Sequence, residues 1–308
     1  MRNRIISMLV TGLVLAVSLL LVFQLFQTLS DQNAAGEAAS VQEELPQLVE
    51  TVKPVLIYGV SETQNVLTVS GTAQANLPIS AELSGQIVQQ VNTDEDGNWS
   101  INIRMDDLRP VQVQIIQYID DKTPVRSDET IYRIPPPELE LGETENPPRA
   151  LVMTAAPGGP SSIFQSPFGG LPTSGAISVG SIDYDESGGV IFSGSSDVQG
   201  KIRYFVNSTP VGESRVEANG RFYFRAADTL PLGTFDITYL LITEQEIHSR
   251  ITIPFERLNF SDPQDPRPVQ VAYNPYAWHI WRPLAGGGQQ YTAVFAPMDA
   301  DPIVPESP

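Results

Sequence analysis

Val69-Ser70-Gly71-Thr72-Ala73, followed by Asp94-Glu95-Asp96-Gly97-Asn98-Trp99, is the stretch on which the fold turns. A Ser-Gly pair ends an alternating apolar run, a turn glycine follows, and an aromatic residue stands two positions after that glycine. The same order returns as Ser193-Gly194-Ser195 and Gly220-Arg221-Phe222. The two glycines are 26 residues apart in each case (71 to 97, 194 to 220), and the two sets are offset by 123 residues. Equal spacing of a strand end, a turn and an inward aromatic is what one folding unit used twice leaves in a sequence.

Working outward, short apolar runs with a period of two surround both signatures. Val66, Leu67 and Val69, then Val111, Val113 and Ile115, lie in the first block. Val190 to Phe192, then Ile202, Tyr204 and Val206, then Ile237, Tyr239 and Leu241, lie in the second. Such runs between Gly, Asn and Asp clusters are half-buried antiparallel strands. Asp96-Gly97 and Asn219-Gly220 read as two-residue hairpin turns, because glycine reaches the positive φ angles of a type I′ turn. Residues 54–134 and 177–260 are therefore expected to be two β-sandwiches, with Trp99 and Phe222 anchoring their cores.

These motifs resemble the bacterial Ig-like modules of surface and periplasmic proteins, whose pattern is V-x-G-x-A, a strand, then D-x-D-G-x-W. Residues 69–73 and 94–99 carry it in full. In the second copy Glu217-Ala218-Asn219-Gly220 replaces the acidic turn and Phe222 the tryptophan. The Asp94 and Asp96 pair also suggests a calcium loop, but the further oxygen ligands of an EF-hand are missing, and a plain hairpin is the simpler reading.

Residues 135–176 read as a disordered linker: nine prolines fall between 135 and 172, with Gly158-Gly159 and Gly169-Gly170 among them. Its apolar element Ile163-Phe164-Gln165-Ser166-Pro167-Phe168 is open to two readings, docking on a partner or back onto a sandwich.

At the other end, Arg2 and Arg4 precede an apolar run from Ile5 to Phe26, long enough to span a bilayer. Residues 1–30 are expected to form an uncleaved transmembrane signal anchor, with residue 31 onward outside the cytoplasm. Residues 31–53, rich in Ala, Gln and Glu, read as a stalk.

The formal net charge is −18, and no basic cluster stands ready to neutralise phosphates, so nucleic acid is excluded as a partner. There is no cysteine and there are two histidines, His248 and His279. Disulfides, thiolate metal sites and a cysteine nucleophile are absent, and neither a G-x-S-x-G elbow nor an S-x-x-K motif marks a serine. No catalytic residue, metal ligand or cofactor is assigned.

The last stretch, residues 267–308, holds Val269-Gln270-Val271, Trp278-x-Ile280, Gly286-x-Gly288, Tyr291-Thr292-x-Val294-Phe295 and Asp301-Pro302. That order resembles the LysM peptidoglycan-binding domain of envelope proteins, which implies a small strand-helix-helix (βαα) segment. The resemblance implies glycan contacts at Asn274, Trp278 and Tyr291. Pro275, Pro283 and Pro297-Met298 depart from the family where it caps a helix, runs a helix and presents Ala-Asn, which makes this a degenerate copy.

The expected fold is thus mainly β: a transmembrane helix, two Ig-like β-sandwiches joined by a Pro-rich linker, and a degenerate LysM-like tail. The expected role is that of a non-catalytic scaffold, spacer or peptidoglycan-associated protein, held in the inner membrane with its bulk in the periplasm and meeting other envelope proteins there. The alternatives are an assembly or accessory factor that recruits a partner through the linker, and a secreted adhesin if the anchor is cleaved.

Overall fold

The computed structural model describes residues 52–106, 109–120, 123–137, 149–244, 246–262, 264–265, 267–284 and 287–297. Every regular element among them is a β-strand. The first eight are β1 (Leu56–Thr63), β2 (Val66–Thr72), β3 (Pro78–Leu83), β4 (Gln86–Asn92), β5 (Asn98–Arg104), β6 (Val111–Tyr118), β7 (Pro124–Arg126) and β8 (Thr130–Ile134). Strands β1-β2-β5 form one antiparallel sheet, and β4-β3-β6 form the other, with β7 and β8 both pairing to β6. This is the strand order of an Ig-like sandwich. Its core holds Leu67, Val69, Ile79, Trp99, Ile101, Val113 and Ile115.

The repeated signature has a steric cause. Gly71 pairs with Trp99 across β2 and β5, and a Cβ on Gly71 would fall 2.4 Å from the Trp99 ring. Only a residue without a side chain lets the ring lie over the neighbouring strand. The turn between β4 and β5 differs from the expected two-residue form. Gly97 N–H donates to the Asp94 carbonyl (3.0 Å) and Asp94 N–H to the Asn98 carbonyl (2.9 Å), while Gly97 alone takes positive φ (+86°). That is a three-residue loop closed by a left-handed glycine.

Residues expected to be a disordered linker supply β9 (Leu151–Ala155), β10 (Ser161–Gln165) and β11 (Thr173–Ser174). β9 pairs with β8 and β10 with β9, so the first module's sheet runs on by two strands. Composition misled here because the prolines sit between strands: Pro157 and Pro160 flank the β9–β10 turn, and Pro167 and Pro172 follow β10. Residues 138–148 lie outside the described residues.

The second module repeats the first: β12 (Ile177–Asp185), β13 (Val190–Ser196), β14 (Lys201–Val206), β15 (Thr209–Arg215), β16 (Arg221–Arg225), β17 (Gly233–Thr243) and β18 (Glu246–Arg257). β16-β13-β12 face β15-β14-β17-β18 over an aromatic core in which Tyr204 stacks on Phe192 and Phe224. Gly194 again pairs with the anchoring ring, here Phe222, and a Cβ on it would fall 2.6 Å from that ring. The β15–β16 turn copies its counterpart, with Gly220 at φ +80° and Gly220 N–H donating to the Glu217 carbonyl (2.9 Å).

The LysM-like expectation is overturned. Residues 270–295 form a three-stranded meander, β19 (Gln270–Tyr273), β20 (Ala277–Pro283) and β21 (Gln289–Phe295), with no helix. Asn274-Pro275 sits in the first turn, with Tyr276 N–H donating to the Asn274 side-chain oxygen (2.9 Å), a use of both residues that a turn favours and a helix resists. Gly287 and Gly288, both at positive φ, form the second. β21 then pairs with β12, so the meander extends the second module's sheet.

The expected transmembrane helix falls on residues outside the described ones. Among the described residues no helix is long and apolar enough to cross a membrane, and the mainly β expectation with its βαα tail gives way there to all-β. The described residues from Lys53 onward form one compact unit.

Candidate functional site

The two extensions meet. Tyr132 and Ile134 of β8, Leu151, Met153 and Ala155 of β9, Trp278 and Ile280 of β20, and Val294 of β21 form a third apolar core, separate from those of the two modules. Alternation along each strand explains how one strand serves two cores. Ile131 and Val152 turn toward the first module, and Ala277, Tyr291, Ala293 and Phe295 toward the second. Strands buried on both faces read as continuous apolar runs, which suits the fully buried β9.

At one end of this core lies a buried polar cluster. Arg282 and Asp183 have side chains 1% and 0% exposed and stand 3.5 Å apart. Asp183 accepts hydrogen bonds from the Ser161 hydroxyl (2.6 Å), the Ser161 N–H (2.7 Å) and the Thr292 hydroxyl (2.6 Å). Arg282 donates to Thr292 and to Ser161 Oγ, and its guanidinium lies 5.2 Å from the centre of the Tyr132 ring. Four strands are tied together: β10 through Ser161, β12 through Asp183, β20 through Arg282 and β21 through Thr292. Beside it, Gln290 holds the β9–β10 turn by donating to the Gly159 carbonyl (2.8 Å) and accepting from the Gly158 N–H (3.2 Å). A carboxylate and a guanidinium out of water require this degree of pairing.

The chemistry open to the cluster is narrow. Ser161 has a carboxylate partner, but His279 lies on the opposite face of β20, with Nδ1 3.2 Å from the Tyr184 hydroxyl in the second module's core. Burial pushes the His279 pKa down to about 4, so the ring is neutral near pH 7. The adjoining cavity, lined by Gly158, Asp183, Arg225 and Gln290 among others, has about 40 Å³, room for a water or two. The cluster holds sheets together, with the Asp183 and Arg282 side chains buried.

The three residues expected to touch glycan are not brought together. Asn274 caps the β19–β20 turn, accepting from Tyr276 N–H. Trp278 is buried in the junction core, edge-on to Phe168 and Tyr273. Tyr291 is on the other face of the sheet, stacked on Tyr184 at 5.0 Å, its hydroxyl 3.0 Å from the Asn259 side-chain oxygen. The linker's apolar element is likewise taken up: Ile163 and Phe168 pack on the junction core and Phe164 on the first module. Asp94 serves its own turn, accepting from the Asn98 side-chain amide (3.1 Å), Asn98 N–H (2.7 Å) and Asp96 N–H (3.0 Å), and these bonds hold its pKa below the usual carboxylate value.

The sequence reading missed Asp183, Ser161, Arg282 and Thr292. No motif could have joined residues so far apart. The one available signal was charge: Asp183 stands between Ile182 and Tyr184 in β12, and Arg282 directly after Trp281 in β20.

No family model and no curated protein matches the sequence. Among solved structures the chain is similar to "D0-D1 domain of Intimin", at 11% identity, covering 65% of this chain and 99% of that one with a TM-score of 0.22. It is also similar to "Central Fibronectin-III array of RIM-binding protein", at 12% identity, covering 77% and 75% with a TM-score of 0.22. Both are Ig- or fibronectin-III-like β-sandwich proteins. Likenesses this distant carry no argument about function, and the sandwich assignment stands on the strand order.

Proposed function

We propose that this chain is a non-catalytic scaffold protein that works outside the cytoplasm, with two Ig-like modules held in one fixed relation by the sandwich between them. The observation that carries this reading is the junction itself. Residues 151–165 extend the first module's sheet, residues 270–295 extend the second's, and the two extensions close on a common core pinned by Asp183 and Arg282. A flexible linker would let each module move independently; a shared core makes them one body. Export is supported by Arg2 and Arg4 ahead of the apolar run.

The test uses the absence of native cysteine. Tyr58→Cys and Leu232→Cys introduce exposed labelling sites, one in each module. Spin labels on the full chain, diluted with unlabelled chain so that only distances within one molecule are read, should give one narrow distance by pulsed electron resonance. A broad distribution would show that the modules move independently and would remove the basis for a fixed spacer.

A further inference from the structure

β4 and β15 are the same strand in two copies: adding the repeat of 123 residues to Gln86–Asn92 gives Thr209–Arg215. Each ends its sheet, β4 beside β3 and β15 beside β14, and each has a one-residue bulge at the matching position, Val88 and Val211. Backbone geometry therefore does not separate them. Their side chains do.

β15 is protected as natural edge strands are. It carries Pro210, Glu213 and Arg215, and Glu213 is held by Lys201 (2.8 Å) and Arg203 (3.6 Å) on the neighbouring strand. At the equivalent places β4 has Ile87, Gln90 and Asn92. Its whole length, Gln-Ile-Val-Gln-Gln-Val-Asn, holds no charge, proline or glycine. Ile87 and Val88 are 52% and 43% exposed. In a chain of net charge −18, one uncharged edge with exposed β-branched side chains stands apart from its own copy.

We infer that β4 is a pairing edge, and that its occupant is β4 of a second copy of this chain, joined antiparallel across a twofold axis at Gln89. The sequence fits itself in that register. Gln89 meets its own copy, and Gln90 and Val91 meet the Ile87–Val88 bulge of the other molecule, so β-branched residues face each other on both sides of the axis. The charges fit as well. The acidic turn at Asp94 falls opposite Ser84 of the other molecule and not opposite acid, while Glu82 on β3 is 3.5 Å from Arg126 of its own chain. Twofold pairing closes on itself and yields a dimer without leaving a free edge to propagate. A foreign strand would need no such symmetry in β4.

Gln89→Cys in the full chain makes the only thiol and places it on the axis. Directly opposed residues of an antiparallel pair have Cα atoms about 4.5–5.5 Å apart, within disulfide reach. The expected result is a disulfide-linked dimer on mild oxidation, with no dimer from the exposed control Leu232→Cys. Giving β4 two residues of its protected copy, Ile87→Pro with Gln90→Glu, should abolish the cross-link. Val88→Lys, a single exposed change, should do the same with unaltered thermal unfolding. Equal cross-linking at both cysteine sites, cross-linking only to another protein, or a dimer that survives both sets of changes would overturn the inference.

Discussion

Gly71 and Gly194 show how one missing side chain sets the anchor of each module. Trp99 and Phe222 are 4% and 1% exposed, and each ring occupies the space that a Cβ on its partner glycine would take. Trp99→Ala or Phe222→Ala should each cost about 3–5 kcal/mol in denaturant unfolding, as for other buried aromatics; a loss under about 1 kcal/mol would mean that the rings carry little of the core. Their motif was legible because glycine, turn and aromatic are close in sequence. Asp183 was not, because its partners Ser161, Arg282 and Thr292 come from three other strands. Asp183→Ala strips the buried Arg282 of its counter-charge and should cost about 3–5 kcal/mol. Combined with Ser161→Ala, the losses should fall short of additivity or exceed it by about 0.5–3 kcal/mol in a double-mutant cycle. Additive losses would show that the two side chains do not act together.

Among the elements, β20 is the one whose sequence was hardest to read. Trp278, Ile280 and Arg282 face the junction while Ala277, His279 and Trp281 face the second module, so both faces are occupied and no polar face marks a strand. Its tryptophan and isoleucine spacing fits a LysM pattern equally well, and only the prolines at 275 and 283 argued against a helix. β9 and β10 were hidden for a related reason: short strands between prolines look like linker when their pairing partners are remote. β20 also carries a pH dependence. Leu258 N–H donates to the Tyr184 hydroxyl (3.4 Å), and His279 Nδ1 lies 3.2 Å from the same oxygen. Protonation of the ring would bury a charge. Because burial holds the folded pKa at about 4, below the ordinary 6.5, the unfolded chain takes up the proton first as pH falls. The neutral ring's contribution is therefore complete above about pH 6.5 and is lost progressively down to about pH 4, on the order of 3 kcal/mol in all. His279→Gln should flatten the stability curve in that window; an unchanged slope would place the titration elsewhere.

For the whole molecule, the repeat announced two sandwiches, and that part of the fold was legible because each module is built from contiguous strands. The junction was not, since it is assembled from residues 130–134, 151–165 and 269–295, which flank the entire second module. Nothing local requires those segments to meet; the apolar faces they would otherwise expose do. If the junction makes the modules one body, they should also unfold as one. The three tryptophans allow this to be read directly, since Trp99 lies in the first module's core, Trp278 in the junction and Trp281 against the second module's core. Urea unfolding of the full chain would be followed by fluorescence in two variants, Trp99→Phe, and Trp278→Phe with Trp281→Phe, each compared with far-ultraviolet circular dichroism of the same sample. Within each variant the fluorescence and dichroism curves should coincide in midpoint and slope, as for a single cooperative transition. Two separated transitions, with the Trp99 signal following one and dichroism both, would contradict the union of the modules on which the scaffold reading depends.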